Sequence, residues 1–232
     1  MPDDAEAKTD AKTDAKTDAK TDSQPHEPRE SWERQYQISG NIWGGIVDLP
    51  KLPAGTRVLE AGCGNGKTLL GMQGKGLDIF AFDFSRTAAA LAKKNLTARM
   101  SGEVLVGDAS NLMFAAETFD VVFARHIIGH SLKKERCAIV AEFNRVLKTG
   151  GVLYFTEFEA ADMKACGDIV SEPRTYMKKN GIMTHFFTED EVRELFCDSG
   201  FECVSLQTHG WDLKVRGDRY PRAEVNGIFR KK

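Results

Sequence analysis

The segment Val58-Leu59-Glu60-Ala61-Gly62-Cys63-Gly64-Asn65-Gly66-Lys67-Thr68 constrains the fold more than any other part of this 232-residue chain. A short apolar run enters three closely spaced glycines, and Thr68 to Met72 begins a helix. Strand, glycine loop, helix is the opening half of a βα unit. Glycine lacks the Cβ that would keep the backbone away from a ligand. In an open parallel sheet that ligand lies beyond the carboxyl ends of the strands, where the strand order switches. The loop therefore predicts a nucleotide-like ligand at the top of a parallel sheet.

The following residues continue the alternation. Leu77 to Phe82 is nearly all apolar, as expected of a strand buried on both faces. Ser85 caps a helix from Arg86 to about Leu96. Strands follow at Val104–Val106 and Phe119–Ala124. From Lys133 to Leu147 the apolar residues Ile139, Val140, Phe143, Val146 and Leu147 recur at helical spacing. Gly150-Gly151 ends that helix, and Val152–Phe155 is the next strand. Thr188 and Glu191 form a capping box for a helix with Val192, Leu195 and Phe196 inside and Gly200 as its stop. Strands at about Phe201–Gln207 and Ala223–Phe229 close the series. The expected fold is α/β: a three-layer, doubly wound, seven-stranded and mostly parallel sheet.

The first 30 residues read differently. Residues 7–22 are four copies of Ala-Lys-Thr-Asp, which offer no apolar face to bury. Residues 1–30 are expected to be a disordered acidic tail, with five Lys/Arg against nine Asp/Glu. Residues 31–232 are expected to form a single domain. Within it, residues 31–56 make an N-terminal cover whose Trp32, Tyr36, Ile38, Ile42, Trp43 and Ile46 line one face, ended by Pro50 and Pro53. Trp211 to Lys232 holds seven basic and three acidic residues, a charged end that is either merely solvated or meets a polyanion. No run of 18 apolar residues and no apolar segment after Met1 is present, so neither a spanning helix nor a secretory signal is expected. The five cysteines form no C-x-x-C pair, which suits free thiols in the cytoplasm and no metal site. Cys63 reads as a small loop residue.

Three patterns compete for the loop. Gly66-Lys67-Thr68 supplies the end of a phosphate loop, but Ala61 stands where that loop needs its first glycine. Gly62 and Gly64 begin a dinucleotide fingerprint, but Lys67 stands at its third glycine. An acidic-x-G-x-G-x-G pattern is matched in full by Glu60, Gly62, Gly64 and Gly66. Acids at the next strand ends decide between them. Asp83 follows the second strand, where a carboxylate can accept ribose hydroxyls. Gly107-Asp108-Ala109 follows the third, and Arg145 to Gly151 precedes the fifth.

From Arg57 to Glu157 this ordered series resembles the class I S-adenosylmethionine-dependent methyltransferases. The resemblance implies that Gly62, Gly64 and Gly66 underlie the carboxypropyl chain of S-adenosylmethionine while Glu60 orders its amino end. It implies that Asp83 holds the ribose, that Asp108 and the Ala109 amide hold the adenine, and that Arg125 offers a backbone carbonyl. The leading expectation is methyl transfer to a small molecule or a tRNA base nitrogen. A non-catalytic cofactor-binding partner subunit and a phosphate-loop protein are the alternatives.

Residues 158–187, a long connection, are expected to form a lid that contacts the acceptor. Asp162-Met163, Tyr176, Gly181, Phe186-Phe187-Thr188, Leu195-Phe196 and Gly200-Phe201 resemble the same region of the tRNA 3-methylcytidine methyltransferases. The Arg-Gly-Asp-Gly turn of that family reads Lys178-Lys179-Asn180-Gly181 here. No catalytic residue is assigned. His126, His130 and His185 are candidates if a proton must leave, with His126 and His130 spaced to share a helical face.

Overall fold

The computed structural model describes residues 28–40, 48–95 and 101–232. Most of the expected tail, residues 1–27, lies outside the described residues, as do Ile42, Trp43, Ile46 and Leu96. Helix α1 (Pro28–Ser39) starts inside the stretch expected as tail. Proline suits the first helical position, where its missing N–H is not needed. Glu30 adds negative charge to the positive helix end. Tyr36 is buried, whereas Ile38 is 78% exposed and does not share the inner face expected of it. Two residues on from Tyr36 is about 200° round the helix, so the two side chains point apart.

The central elements are β1 (Arg57–Ala61), α2 (Lys67–Met72), β2 (Asp78–Asp83), α3 (Arg86–Asn95), β3 (Ser101–Val106) and β4 (Phe119–Arg125). A 3-10 turn at Ile128–His130 leads to α4 (Lys133–Val146) and β5 (Leu147–Phe158). Then come β6 (Asp168–Ile169), β7 (Thr175–Met177), β8 (Met183–His185), α5 (Glu189–Asp198), β9 (Phe201–Val215) and β10 (Asp218–Lys231). The main sheet has seven strands in the order β3-β2-β1-β4-β5-β10-β9. The first five are parallel, and β10 is antiparallel to both of its neighbours. The chain winds outward from β1 to β3 and then returns to β4. The switch point therefore lies between the carboxyl ends of β1 and β4.

Alternate strand residues feed two cores. Val58, Ile79, Ala81, Val121 and Phe123 pack with Leu69 and Met72 of α2 and Ala89 and Ala92 of α3. Leu59, Ala61, Phe82, Val122 and Ala124 pack on the other face with Ile139, Val140 and Phe143 of α4 and Val192 and Phe196 of α5. The period of two places helices on both faces and gives three layers. Phe196 and Phe229 stack at 4.0 Å in the second core.

Three expectations change. Helix α4 ends at Val146, because Leu147 already pairs with Phe119, and the register then shifts between Phe119 and Val121. The connection at 158–187 holds a three-stranded antiparallel sheet, β6-β7-β8. The strand expected at Ala223–Phe229 lengthens to Asp218–Lys231, so most of the basic C-terminal stretch is built into the sheet, with Ala223, Val225 and Phe229 buried.

Candidate active site

A cleft of about 800 Å³ opens at the switch point. Of the residues expected to form a cofactor site, Glu60, Gly62, Gly64, Asp83, Asp108, Ala109 and Arg125 line it. Gly66 does not. It caps α2 from behind the loop at φ 84°, and its carbonyl accepts the Leu70 N–H at 3.2 Å.

The loop is held by the strand beside it. Asp83 Oδ2 accepts the Gly64 N–H and Oδ1 accepts the Ser85 N–H, both at 2.9 Å. Burial pushes the Asp83 carboxyl up to about 6, against those two hydrogen bonds. Each oxygen keeps a lone pair for a hydroxyl. The same contact disfavours a phosphate loop, since a carboxylate occupies the loop amide and would repel a polyphosphate. Gly62 sits at φ 65°, and a Cβ there would lie 2.9 Å from Ile127 Cδ1.

Glu60 is 2% exposed on the cleft floor. Burial pushes its carboxyl up to about 8, opposed by the Thr68 hydroxyl and the charge of Arg125. Its Oε2 has no hydrogen-bond partner. A buried, unpartnered carboxylate oxygen facing a cavity is costly alone and suits a cationic guest. Asp108 accepts the Ser110 N–H and hydroxyl through Oδ1, at 2.9 and 2.8 Å, so it does cap the next turn. Its Oδ2 faces no such partner among the described residues. An acidic floor, a glycine wall and free carboxylate lone pairs fit an amino acid joined to an adenosine. Burial and the nearby Asp83 and Glu60 push the Cys63 thiol well above its ordinary value, so it is an inert loop residue.

The histidines separate. His126 follows the end of β4 with φ 52°, and His130 ends the 3-10 turn, so they share no helical face, although both line the cleft. His130 Nδ1 donates to the Met183 carbonyl at 2.9 Å, which leaves Nε2 as the acceptor. Burial holds this imidazole at about 4, hence neutral. Its ring meets Trp32 edge-on at 4.8 Å. His126 Nε2 lies 3.2 Å from Glu224. His185 is 1% exposed and bonded to Thr175 at 2.7 Å, away from the cleft, so it is not a candidate base. No cluster of metal-ligand side chains occurs among the described residues.

The other half of the cleft was expected as an N-terminal cover and a lid, without a role for any one of its residues. Trp32 and Tyr36 reach it from α1, Phe158 and Lys164 from the end of β5 and the following turn, and Trp211, Arg222 and Glu224 from the β9–β10 hairpin. The four-residue spacing of Trp32 and Tyr36 was a usable signal. Nothing in the sequence indicated that β10 returns antiparallel alongside β5.

Residues 59–155 match the family model described as a methyltransferase domain. The tRNA N(3)-cytidine methyltransferase METTL2 of Gallus gallus is 28% identical over 170 residues, covering 68% of this chain and 46% of that protein. The tRNA N(3)-methylcytidine methyltransferase Mettl2 of Drosophila melanogaster is 25% identical over 228 residues, covering 86% and 70%. A crystal structure of a SAM-dependent methyltransferase from Methanosarcina mazei superposes with a TM-score of 0.66 at 26% identity, covering 80% of this chain and 99% of that one. The chain spans about half the length of the vertebrate relatives it matches. The fold, the loop and the strand-end acids are similar to those of class I S-adenosylmethionine-dependent methyltransferase domains, and the match to the methyltransferase-domain model spans residues 59–155. Over about two thirds of its length the chain is similar to the tRNA N(3)-cytidine methyltransferases.

Proposed function

We propose that this chain transfers a methyl group to a ring nitrogen of an RNA base, with cytosine in tRNA as the leading acceptor. One observation carries this reading. The cleft is lined both by acids and glycines, Glu60, Gly62, Gly64, Asp83 and Asp108, and by aromatic and basic side chains, among them Trp32, Tyr36, Lys164 and an Arg222 set against the Phe158 and Trp211 rings. Flat bases stack on aromatic rings, and basic side chains pair with the nucleic-acid backbone. The homology to tRNA N(3)-cytidine methyltransferases supports the same acceptor.

Glu60, Gly62, Gly64, Asp83, Asp108, Ala109 and Arg125 hold the cofactor in this proposal, and Gly66 shapes the loop from behind. S-adenosylmethionine, when bound, supplies a sulfonium-activated methyl group. A ring nitrogen brings its own lone pair, so the protein's task is alignment and exclusion of water. Helix α1 covers one side. The β6-β7-β8 sheet forms the lid, and Asn180 in its β7–β8 turn donates to Gln35 of α1 at 3.1 Å.

No helix among the described residues is long and apolar enough to cross a membrane. The five free cysteines support placing the protein in the cytoplasm.

The test is transfer of labelled methyl into a cell extract, fractionated into RNA, protein and small molecules. Label in RNA, recovered as 3-methylcytidine and lost in Asp83→Ala, is expected. Label that survives RNase treatment overturns the RNA acceptor. No transfer to any fraction, with cofactor binding intact, favours a non-catalytic subunit.

A further inference from the structure

We infer that Arg222 is an oxyanion-binding residue that takes a phosphate group carried by the methyl acceptor. This rests on the methyltransferase reading of the cleft and adds a chemical requirement for the acceptor.

Arg222 is held from three sides. Its Nε donates to Asp162 Oδ2 at 2.7 Å, and the Asp162 side chain is fully buried. That carboxylate is itself fixed by the backbone. Oδ2 also accepts the Ala223 N–H at 3.0 Å, and Oδ1 accepts the Lys164 N–H at 2.8 Å. The guanidinium carbon lies 5.2 Å from the Phe158 ring and 5.7 Å from the Trp211 ring, so two aromatic faces hold the group as well.

The terminal nitrogens are not used in this arrangement. They bond to none of the described residues, yet Arg222 lines the cleft. A purely structural Arg–Asp pair gains most as a two-pronged fork. Here Asp162 engages only Nε and gives Oδ1 to a backbone amide instead. The end of the guanidinium that matches two oxygens of a phosphate is left for a ligand.

The neighbouring charges agree. Lys164 also lines the cleft, and the Lys178 ammonium braces that turn through the Lys164 and Cys166 carbonyls. Glu224 is the nearby acid, and it is engaged by His126 Nε2 at 3.2 Å. A planar acceptor stacked on this wall would bring a phosphate on its ribose to the same edge.

The test uses the full-length protein loaded with S-adenosylhomocysteine. Its probes are inorganic phosphate, cytidine, cytidine 5′-monophosphate and a cytidine-centred trinucleotide. The guanidinium signals of Arg222, assigned by nuclear magnetic resonance with Arg222→Lys, are expected to shift saturably with inorganic phosphate. A phosphate-bearing probe should bind about ten- to a hundredfold more tightly than cytidine. Arg222→Gln should erase that difference, and Arg222→Lys should keep part of it. S-adenosylhomocysteine affinity within about twofold of the parent in both variants shows that they are folded. Preference for the monophosphate identifies a small phosphate monoester as the source, and preference for the trinucleotide identifies RNA. Absence of a saturable shift with every phosphate, or undiminished discrimination in Arg222→Gln, overturns the inference. Phosphate binding without methyl transfer to RNA leaves Arg222 assigned and removes only the RNA acceptor.

Discussion

The carboxylate of Asp83, at the end of β2, accepts the backbone N–H of Gly64 in the middle of the glycine loop at 2.9 Å. Its other oxygen accepts the Ser85 N–H at the same distance. Both contacts are donors aimed at a carboxylate, so an amide cannot replace it: one of its two ends would face a donor with a donor. Asp83→Asn is therefore expected to behave like Asp83→Ala. Each should weaken S-adenosylhomocysteine binding about ten- to a hundredfold in calorimetry, roughly 1.5–3 kcal/mol. An asparagine variant with parental affinity would remove Asp83 from the cofactor site.

Glu60 carries a proton in the free protein at neutral pH, because burial pushes its carboxyl to about 8 from an ordinary 4.5. A cationic amino group beside it favours the charged form and should expel that proton. Calorimetry at pH 7 in buffers of different ionisation enthalpy should record release of close to one proton on cofactor binding. Glu60→Gln should abolish the release. The sign for stability follows from the raised value. Between about pH 4.5 and 8 the folded free protein keeps a proton that the unfolded chain has lost, so this group's contribution falls as pH rises. The glutamine variant should melt with a shallower pH slope across that window.

The parallel core was legible because buried strands announce themselves as apolar runs, and the strand-end acids Asp83 and Asp108 come at fixed places in such a fold. Gly66 was read as part of the ligand floor, since a loop pattern cannot say which glycine faces a guest and which shapes the turn. The acceptor half was legible only as a cover and a lid, and its internal structure was not. Strands β6 to β8 are two or three residues long, too short for any period to show. Arg222 and Asp162 are 60 residues apart, and only the antiparallel return of β10 along β5 brings them together.

Gly62 has two reasons to be glycine. Its φ of 65° disfavours a side chain, by about 1–2 kcal/mol. A Cβ would also press on Ile127 Cδ1 at 2.9 Å, next to the turn that carries His130. Gly62→Ala should lower the melting temperature modestly and weaken S-adenosylhomocysteine binding at the same time. Trimming the contact with Ile127→Val in the same chain should recover part of the binding and none of the backbone strain. A double variant no better than the single one would show that Ile127 does not transmit the effect.

His185 was a candidate base by residue type, yet it is buried with Thr175 at 2.7 Å and Glu191 at 3.0 Å. Glu191 also meets Arg174 at 2.8 Å, and together these residues fasten β7 and β8 to α5. Despite partial burial, hydrogen bonds from His185 and Arg174 hold the Glu191 carboxyl down at about 2. A depressed carboxyl contributes stability above its unfolded value of 4.5 and loses it as pH falls towards 2. Glu191→Gln should therefore be less stable at neutral pH and lose less on acidification, followed by thermal melts from pH 5 to 3. His185→Gln should cost about 1–3 kcal/mol of stability. In the folded variant, the pH profile of methyl transfer should be unchanged. A shifted profile would return His185 to the chemistry, whereas lower stability with the same profile identifies a residue that only holds the lid in place.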